Sequence, residues 1–272
     1  MPTLDGKAGL FLALHQKGNP LLQPNAWDAG SARLLESLGF RAIATTSSGF
    51  AATLGQLDGT VTRDEALTHA AELSRAVEVP VAGDTENGFA DDPAGVAEMV
   101  TLACATGLAG CSIEDYSGGP DGAIYDAGLA RDRITAAAEA AHRGPTHLVL
   151  TARAENHIRG VHDLGDTVAR LQAYQEAGAD VLFAPGLRSA DDIRIVVTSV
   201  DLPVNVLVTP FCPPIEELAA MGVARISVGG SFAYVAFAGL IEAARELKEQ
   251  GTYTYWDRVL GASEAVRDAF GR

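Results

Sequence analysis

The 272-residue chain is poor in lysine and in positive charge. Its lysines are Lys7, Lys17 and Lys248, and none occurs between residues 18 and 247. Enzymes that form a Schiff base or use pyridoxal phosphate need a lysine amine in the active site, so this scarcity argues against both classes. The formal net charge of −15 also argues against binding to nucleic acid or to an anionic membrane surface.

Cysteine and long apolar runs are scarce as well. Cys104, Cys111 and Cys212 form no spaced framework, and they fit free thiols in a reducing cytoplasm. No run approaches the roughly 18 apolar residues of a membrane span. Residues 1–20 lack the basic start, apolar core and cleavage site of a signal peptide. We therefore expect a cytoplasmic protein without a membrane segment.

The chain is rich in short apolar runs that alternate with helical stretches. Helix starts are marked by Thr62 with Glu65, which form a capping box, and by Asp92 followed by Pro93. An amphipathic stretch at about 253–270 predicts a further helix after the last run. The apolar runs, predicted to be strands, cover residues 21–25, 41–46, 79–84, 108–114, 148–152, 180–184, 203–208 and 225–228.

Eight strand–helix units in a chain of this length predict an α/β fold, a (β/α)8 TIM barrel with an extra C-terminal helix. No linker or change in composition divides the sequence, so residues 1–272 are expected to form a single domain. A doubly wound open sheet is the alternative fold. The turn after the first strand reads NAWDAG and lacks the Gly-rich dinucleotide motif that such a sheet usually carries.

Two acids follow the third predicted strand, which reads VPVAGD. Asp84 ends this run and Glu86 lies two residues further on, so in an extended chain both side chains face the same way. Paired acids at the end of a buried strand indicate a site for a hard cation such as Mg²⁺. An acidic loop without any ligand explains the same residues about as well.

Other predicted strands also end in polar side chains, and active sites of this fold lie at the carboxyl ends of the strands. Glu114 follows the fourth strand and would join the acids around Mg²⁺, partly through water. Arg153 follows the fifth strand and would bind a carboxylate or phosphonate in fork geometry. Asp115 is expected to pair with a surface arginine instead. Further polar residues at strand ends are Thr46, Ser47, Ser48 and Asn205.

Five segments resemble, in order and spacing, those of the isocitrate lyase/phosphoenolpyruvate mutase superfamily. They are NAWDAGSARLLESLGFRAIATTSSGFAATLG, LGQLDGTVTRDE, GDTENG, SIED and TARAE. GDTENG resembles the family's DxDxG metal motif, with Glu86 in place of the second aspartate. The resemblance covers most of residues 20–240 and rests on the ordered set of segments.

The resemblance implies Mg²⁺ or Mn²⁺ that holds a small 2-oxo or 2-hydroxy acid. It also implies homotetramers, built as dimers of dimers, in which the extra C-terminal helix packs on a neighbouring subunit. Asp84 resembles the direct metal ligand, whereas Glu86, Glu114 and Asp58 resemble acids that bind the metal through water. The expected substrate-binding residues are Thr46, Ser47, Ser48, Asp84, Arg153 and Asn205, and the expected catalytic residues are Asp58, Arg153 and Tyr116.

The segment after the fourth predicted strand departs from this family. It reads EDYSGGPDGAIYD and has neither the cysteine of the lyases nor the lysine of the mutases, whose place Tyr116 takes. Its glycines and Pro120 suggest a short mobile flap. Tyr116 or a water molecule is left as the general acid. Leu207 stands where the lyases have asparagine, and Asn205 would face the same way one layer deeper.

These residues predict a Mg²⁺-dependent lyase that cleaves or forms a C–C bond in a small 2-hydroxy or 2-oxo carboxylate. Two alternatives stay open. One is a mutase or hydrolase for P–C bonds of the phosphonopyruvate type, and the other is a catalytically weak barrel that binds 2-oxo acids. Gly229, Gly230 and Ser231 also suggest a phosphosugar isomerase or aldolase, which the lack of lysine disfavours.

Overall fold

The computed structural model describes residues 4–118, 122–144 and 146–271. The described chain alternates short strands with helices. The strands are β1 (Leu21–Gln23), β2 (Ile43–Ala44), β3 (Val81–Asp84), β4 (Gly110–Glu114), β5 (Val149–Arg153), β6 (Val181–Phe183), β7 (Val204–Leu207) and β8 (Arg225–Ser227). The helices are α1 (Leu4–Ala13), α2 (Ala29–Ser37), α3 (Ser47–Thr53), α4 (Arg63–Ala76), α5 (Pro93–Cys104), α6 (Ala127–His142), α7 (Leu164–Glu176), α8 (Ala190–Thr198), α9 (Ile215–Ala220), α10 (Ser231–Arg245) and α11 (Trp256–Phe270).

The strands form one parallel sheet that curls into a nearly closed barrel. From β2 to β8 each strand pairs with the next in sequence, and β8 also pairs with β1. A single parallel bridge between Asn25 and Ala44 links the segment after β1 to β2. The predicted (β/α)8 barrel with an additional C-terminal helix is therefore confirmed.

Helix α1 closes the amino end of the barrel, and sequence reasoning did not predict it. Phe11 is fully buried and packs with Ala109 and Val149, which lie where β4 and β5 begin. Gly110 permits this close approach, because a Cβ atom there would lie 2.8 Å from the Phe11 ring. The barrel interior is thus open toward the carboxyl ends of the strands, where the polar residues lie.

The segment after β2 was expected to be a loop, but it is helix α3. The side chain of Thr46 accepts a hydrogen bond from the Gly49 N–H, 3.3 Å between the heavy atoms, and so caps the first turn. The signal was a threonine N-cap before small residues, which is easily read as a loop. The other strands and helices lie within a few residues of their predicted bounds.

The C-terminal helix α11 packs along α2 of its own chain and also contacts α10. Arg258 pairs with Glu242 of α10 at 2.8 Å, and the Phe270 ring lies beside Gly30 of α2. Among the described residues, no helix combines the length and the apolar character that crossing a membrane requires. The prediction that α11 packs on a neighbouring subunit stays a prediction.

Candidate active site at the carboxyl ends of the strands

Asp84 ends β3 and is held in place by three neighbours. Its N–H donates to the Thr45 hydroxyl at 2.8 Å, and its Oδ2 accepts from the Ser47 N–H at 3.2 Å. Its Oδ1 pairs with Nη1 of Arg153 at 3.1 Å. Because the end of β2, the start of α3 and the end of β5 all fix this carboxylate, it is preorganised at the centre of the site.

Glu86 reaches the same region by a turn, and not in the extended conformation that the sequence suggested. Its φ of 47° lies in the left-handed region, which is rare for a residue with a side chain. Its carbonyl accepts the Glu114 N–H at 3.0 Å, and Gly88, with φ 78°, continues the turn. Strained backbone of this kind is often kept at functional sites.

Arg153 lies among the acids, at the end of β5. Its Nη2 contacts Glu155 Oε1 at 2.7 Å and Glu114 Oε2 at 3.2 Å, in addition to the Asp84 contact of Nη1. A second arginine, Arg159, contacts the outer oxygens of Glu114 and Glu155 at 3.5 and 3.1 Å. Sequence reasoning missed Arg159, although its spacing of four residues from Glu155 was a usable signal.

Burial, with the charge of neighbouring acids, raises the pKa of three carboxyl groups of the site, those of Glu86, Glu114 and Asp58. Burial and the charges of Asp84 and Asp58 raise the pKa of Glu86 to about 7. Burial raises the pKa of Glu114 well above its ordinary value. The charges of Arg153 and Arg159 lower this pKa, whereas those of Glu155 and Asp84 raise it further. Burial, with the charge of Asp84, also raises the pKa of Asp58. A cation placed among these groups would relieve the repulsion.

The predicted donor set fits a hard divalent cation in its chemistry. All four side chains, Asp84, Glu86, Glu114 and Asp58, offer carboxylate oxygens, which Mg²⁺ and Mn²⁺ prefer. In the part of the chain that the structure describes, no three of them have ligand atoms within 4.8 Å of one another. This spacing is compatible with one direct ligand and several contacts through water, the arrangement usual for Mg²⁺.

The mouth of the site is a cavity of about 400 Å³ lined by Asp58, Glu86, Glu114, Tyr116 and Arg159. The Arg159 guanidinium lies 3.8 Å from the centre of the Tyr116 ring, which positions that phenol beside the acids. Tyr116 also forms a β-bridge to Ile124. The predicted flap is therefore folded back on itself at its base, while residues 119–121 at its tip lie outside the described residues.

A second cavity, of about 180 Å³, continues from the acids into the barrel interior. Asp84, Ser47 and Arg153 line its upper part, and Asn205 of β7 lines its lower part, so that Asn205 faces the barrel interior as expected. Sequence reasoning missed three further polar residues of this cavity. Polar side chains at alternate positions of barrel strands were the available signal. They are Gln23, Thr151 and Arg225.

Asp115 has a structural role, but with buried partners and not with a surface arginine. Its carboxylate accepts the Glu155 N–H at 2.8 Å, pairs with Arg170 Nη1 at 3.1 Å and accepts the Tyr174 hydroxyl. Arg170 is only 8% exposed. The network ties the end of β4 to the start of the loop after β5 and to α7, so it supports the position of Glu155.

Another set of potential ligands lies at the opposite, amino end of the barrel. His142, His147 and Asp180 have ligand atoms within 4.8 Å of one another, although no zinc pattern was visible in the sequence. Both imidazoles bond to Asp180, at 3.0 and 2.9 Å, and Asp180 also accepts the Leu150 N–H. These bonds fix the start of β5, away from the predicted metal site.

Comparison with known proteins identifies the family of the chain. The family model described as phosphoenolpyruvate phosphomutase matches residues 11–248. An uncharacterized protein of Mycobacterium tuberculosis (strain ATCC 25618 / H37Rv) is 35% identical over 221 residues, 80% of this chain and 81% of that protein. The 2-methylisocitrate lyase of Escherichia coli (strain K12) is 32% identical over 214 residues, 76% of this chain and 70% of that enzyme.

Solved structures give the same result. A candidate lyase/mutase from Burkholderia cenocepacia J2315 superposes with a TM-score of 0.89 at 46% identity, covering 93% of this chain and 91% of that one. A 2,3-dimethylmalate lyase of the same superfamily superposes with a TM-score of 0.82 at 28% identity, covering 98% and 99%. The chain therefore belongs to the phosphoenolpyruvate phosphomutase family, within the phosphoenolpyruvate mutase/isocitrate lyase superfamily of enzymes that its motifs predicted.

Proposed function

We propose that this protein is a divalent-metal-dependent lyase that cleaves or forms a C–C bond in a small 2-hydroxy or 2-oxo carboxylate. One observation carries the proposal: Asp84, Glu86, Glu114 and Asp58 surround Arg153 at the carboxyl ends of the barrel strands. The names of two relatives, 2-methylisocitrate lyase and 2,3-dimethylmalate lyase, support the same reaction class.

Mg²⁺ or Mn²⁺ is the proposed cofactor, with Asp84 as the direct ligand and Glu86, Glu114 and Asp58 as ligands through water. When bound, the ion would supply positive charge next to the substrate oxygen on which negative charge develops. The all-oxygen donor set supports this assignment, and so does the raised pKa of Glu86 and Glu114, to which burial and the charge of Asp84 contribute in both cases.

The residues of the chain orient the acid and move its protons. Arg153 and the hydroxyls of Thr46, Ser47 and Ser48 are proposed to hold its carboxylate and neighbouring oxygen. In the cleavage direction, Asp58 accepts the proton of the 2-hydroxyl, the adjacent C–C bond breaks and a 2-oxo acid forms. The carbon that leaves with the bonding electron pair takes a proton from Tyr116 or from water, so atoms and electrons balance.

The test is a product assay with purified protein and a panel of 2-hydroxy acids, including 2-methylisocitrate and 2,3-dimethylmalate. We expect release of pyruvate or glyoxylate from at least one acid when Mg²⁺ is present. Treatment with EDTA should stop the release, and added Mg²⁺ or Mn²⁺ should restore it, because the ion would supply the positive charge next to the substrate oxygen on which negative charge develops. Release of product that EDTA leaves unchanged would contradict the metal assignment.

Two other outcomes correspond to the alternative functions. Conversion of phosphonopyruvate in place of the hydroxy acids would identify a P–C bond enzyme, which the family description favours and the lack of a lysine near Tyr116 disfavours. Thermal stabilisation by Mg²⁺ with a 2-oxo acid, without turnover of any compound, would identify a binding protein. Either result would replace the lyase proposal.

We also propose that the protein is a homotetramer in which α11 packs on a neighbouring subunit. Exposed apolar side chains on α10 and α11 support this, among them Val235, Leu240 and Leu260, which are 68%, 66% and 67% exposed. Light scattering after size exclusion should give about four times the 28.3 kDa mass of the chain. Leu260→Glu should shift the mass to a smaller species, whereas Ile195→Glu on α8 should not. A monomeric wild type would contradict the proposal.

The proposed location is the cytoplasm. Cys104, Cys111 and Cys212 are all free, and Cys111 is buried in the core, where burial raises the pKa of its thiol. Free cysteines of this kind are typical of reducing compartments.

A further inference from the structure

Three side chains with metal-ligating atoms converge at the amino end of the barrel, opposite the proposed Mg²⁺ site. His142 ends α6, His147 lies two residues before β5, and Asp180 directly precedes β6. Their ligand atoms lie within 4.8 Å of one another. In the part of the chain that the structure describes, no other three histidine, cysteine or acidic side chains come so close. The cluster shares no residue with the proposed Mg²⁺ site.

Both imidazoles of the cluster bond to the same carboxylate. Nε2 of His142 donates to Oδ2 of Asp180 at 3.0 Å, and Nε2 of His147 donates to Oδ1 at 2.9 Å. The direction follows because an ionised carboxylate only accepts hydrogen bonds. A neutral imidazole can instead carry its single proton on Nδ1 and offer Nε2 as a metal ligand. One metal ion can therefore replace the two protons that now lie between the rings and the carboxylate.

The distances between the ligand atoms are close to those of a zinc site. Zinc binds imidazole nitrogen and carboxylate oxygen at about 2.0–2.2 Å, so neighbouring ligands of a tetrahedral site lie about 3.4 Å apart. The two nitrogen-to-oxygen distances of the cluster are 3.0 and 2.9 Å. An opening of the cluster by about half an ångström would therefore admit the ion.

The two imidazole rings are stacked, and one of them has to tilt when an ion binds. Their centroids lie 3.9 Å apart and their planes are inclined by 10°. Parallel rings direct their nitrogen lone pairs in parallel, whereas ligands of a shared ion direct them to one point. His147 has room to tilt, because its side chain is 45% exposed and belongs to the segment between α6 and β5.

Asp180 is the rigid member of the cluster. Its side chain is 13% exposed, and its Oδ2 also accepts the Leu150 N–H at 2.8 Å. Its own N–H donates to the Leu150 carbonyl at 2.9 Å. Metal-ligating carboxylates typically have such supporting hydrogen bonds. Among the described residues no arginine or lysine forms an ion pair with Asp180, so its negative charge is available to attract a cation.

Solvent can reach the cluster from one side. The side chain of His142 is 28% exposed, and that of His147 is exposed further. Arg143, the cation next to His142 in sequence, pairs with Glu139 at 3.1 Å and so is held on α6. An ion from solution can therefore reach the three ligands and keep water as a fourth, as zinc does at sites with three protein ligands.

The donor atoms select a class of metal that differs from that of the active site. Two imidazole nitrogens with one carboxylate suit Zn²⁺, and also Ni²⁺ and Cu²⁺, whereas Mg²⁺ prefers oxygen ligands throughout. The acids at the carboxyl ends of the strands offer oxygen alone. The two ends of the barrel are thus expected to discriminate between a hard cation and a borderline one.

We propose that His142, His147 and Asp180 form a second metal site, which takes Zn²⁺ or a similar borderline divalent cation and one water molecule. The bound ion joins the end of α6 to the starts of β5 and β6, so its role is structural. The site is independent of the proposed function, because it contributes no group to the cavities at the carboxyl ends of the strands.

Calorimetric titration with Zn²⁺ tests the site on the full chain, after EDTA treatment and dialysis and in the presence of excess Mg²⁺. The wild type should bind one equivalent per chain at the cluster, with a dissociation constant of about 10 μM or less. His147→Gln should weaken this binding by about a hundredfold or more, because it removes a ligand nitrogen. The glutamine amide can still donate to Asp180, so the hydrogen-bonded network is kept. His142→Gln should have the same effect.

Two control variants locate the ion. His162→Gln removes an exposed histidine outside the cluster and should leave the affinity for Zn²⁺ within about twofold. Asp84→Asn removes an acid of the proposed Mg²⁺ site and should also leave the cluster's equivalent of Zn²⁺ in place. Thermal melts without metal check that each variant folds.

A measurement on the wild type alone does not depend on any variant. Diethyl pyrocarbonate modifies accessible imidazole nitrogens, and mass spectrometry locates the modified residues. Zn²⁺ should protect His142 and His147 from the reagent and leave His162 reactive, because only the first two would be ligands.

Three results would overturn the site. They are no binding of Zn²⁺ at micromolar concentrations, binding that both glutamine variants of the cluster leave unchanged, and binding that is lost in Asp84→Asn alone. In each case the cluster is a hydrogen-bonded network without a metal. None of these results bears on the proposed function, whose assays depend on Mg²⁺ at the other end of the barrel.

Discussion

Replacing Asp84 with asparagine should lower metal-dependent turnover of the substrate acid by about a thousandfold or more. Asparagine preserves the size of the side chain and leaves the backbone N–H of residue 84 free to donate to Thr45. It removes the negative charge of the proposed direct ligand, an acid that three elements hold in place. Steady-state kinetics over a range of Mg²⁺ concentrations measures the loss, and titration with Mn²⁺ measures the affinity for the metal.

The loss in the Asp84→Asn variant should occur without unfolding. Arg153 still has Glu114 and Glu155 as partners when Asp84 is neutral, so its guanidinium is not left unpaired. Asp64→Asn is the matched control, because it removes the same charge from an exposed position on α4. It should change turnover by less than about twofold, as surface substitutions usually do. Wild-type turnover and metal affinity in Asp84→Asn would contradict the proposed site.

The sequence predicted the barrel because each unit carries its own local signals. The apolar runs set the strands, and residues such as Asp92 and Thr62 mark helix starts that the structure reproduces, with Pro93 as the first residue of α5. Helix α1 was not predicted because tertiary contacts, and not a local sequence pattern, define its position. Its Phe11 is buried by strands that begin about 100 and 140 residues later, and no local pattern records such a contact.

Site residues at the ends of strands could be predicted from the sequence. Site residues placed by loops, or lying inside the barrel, could not. Asp84, Glu114 and Arg153 followed from the positions of their strands. The backbone brings Glu86 to the site through a left-handed turn. This turn depends on the φ angle of a single residue, which strand periodicity does not predict. Arg225 was missed because an arginine in a short apolar run gives no sign of the charges that will surround it. Only the fold shows that it is buried without an acidic ion-pair partner in the described part of the chain.

Replacing Arg153 should produce two separable losses, one of stability and one of activity. Arg153→Met leaves Glu114 and the fully buried Glu155 without their main positive partner. Removing one member of a buried ion pair typically costs about 3–5 kcal/mol of unfolding free energy. Arg153→Lys keeps the charge but cannot contact Asp84, Glu114 and Glu155 with separate nitrogens, as the guanidinium does. We expect it to fold and to lose turnover by about a hundredfold or more.

Chemical denaturation and steady-state kinetics, run on both variants, separate the two roles of Arg153. Arg159→Met is the matched control, because Arg159 contacts the outer oxygens of Glu114 and Glu155 but is itself about two-fifths exposed, at 38%. Solvent screens such a pair, so its removal should cost no more than about 1 kcal/mol.

The lysine variant carries the decisive result for Arg153. If Arg153→Lys folds normally and turns over like the wild type, a single positive charge is sufficient at this position, and binding of the substrate carboxylate by a planar fork is wrong. If it folds normally and loses turnover while its metal affinity is unchanged, then Arg153 acts on the substrate and not on the metal ligands. That combination would distinguish orientation of the substrate acid from support of the Asp84 carboxylate, which Arg153 contacts at 3.1 Å.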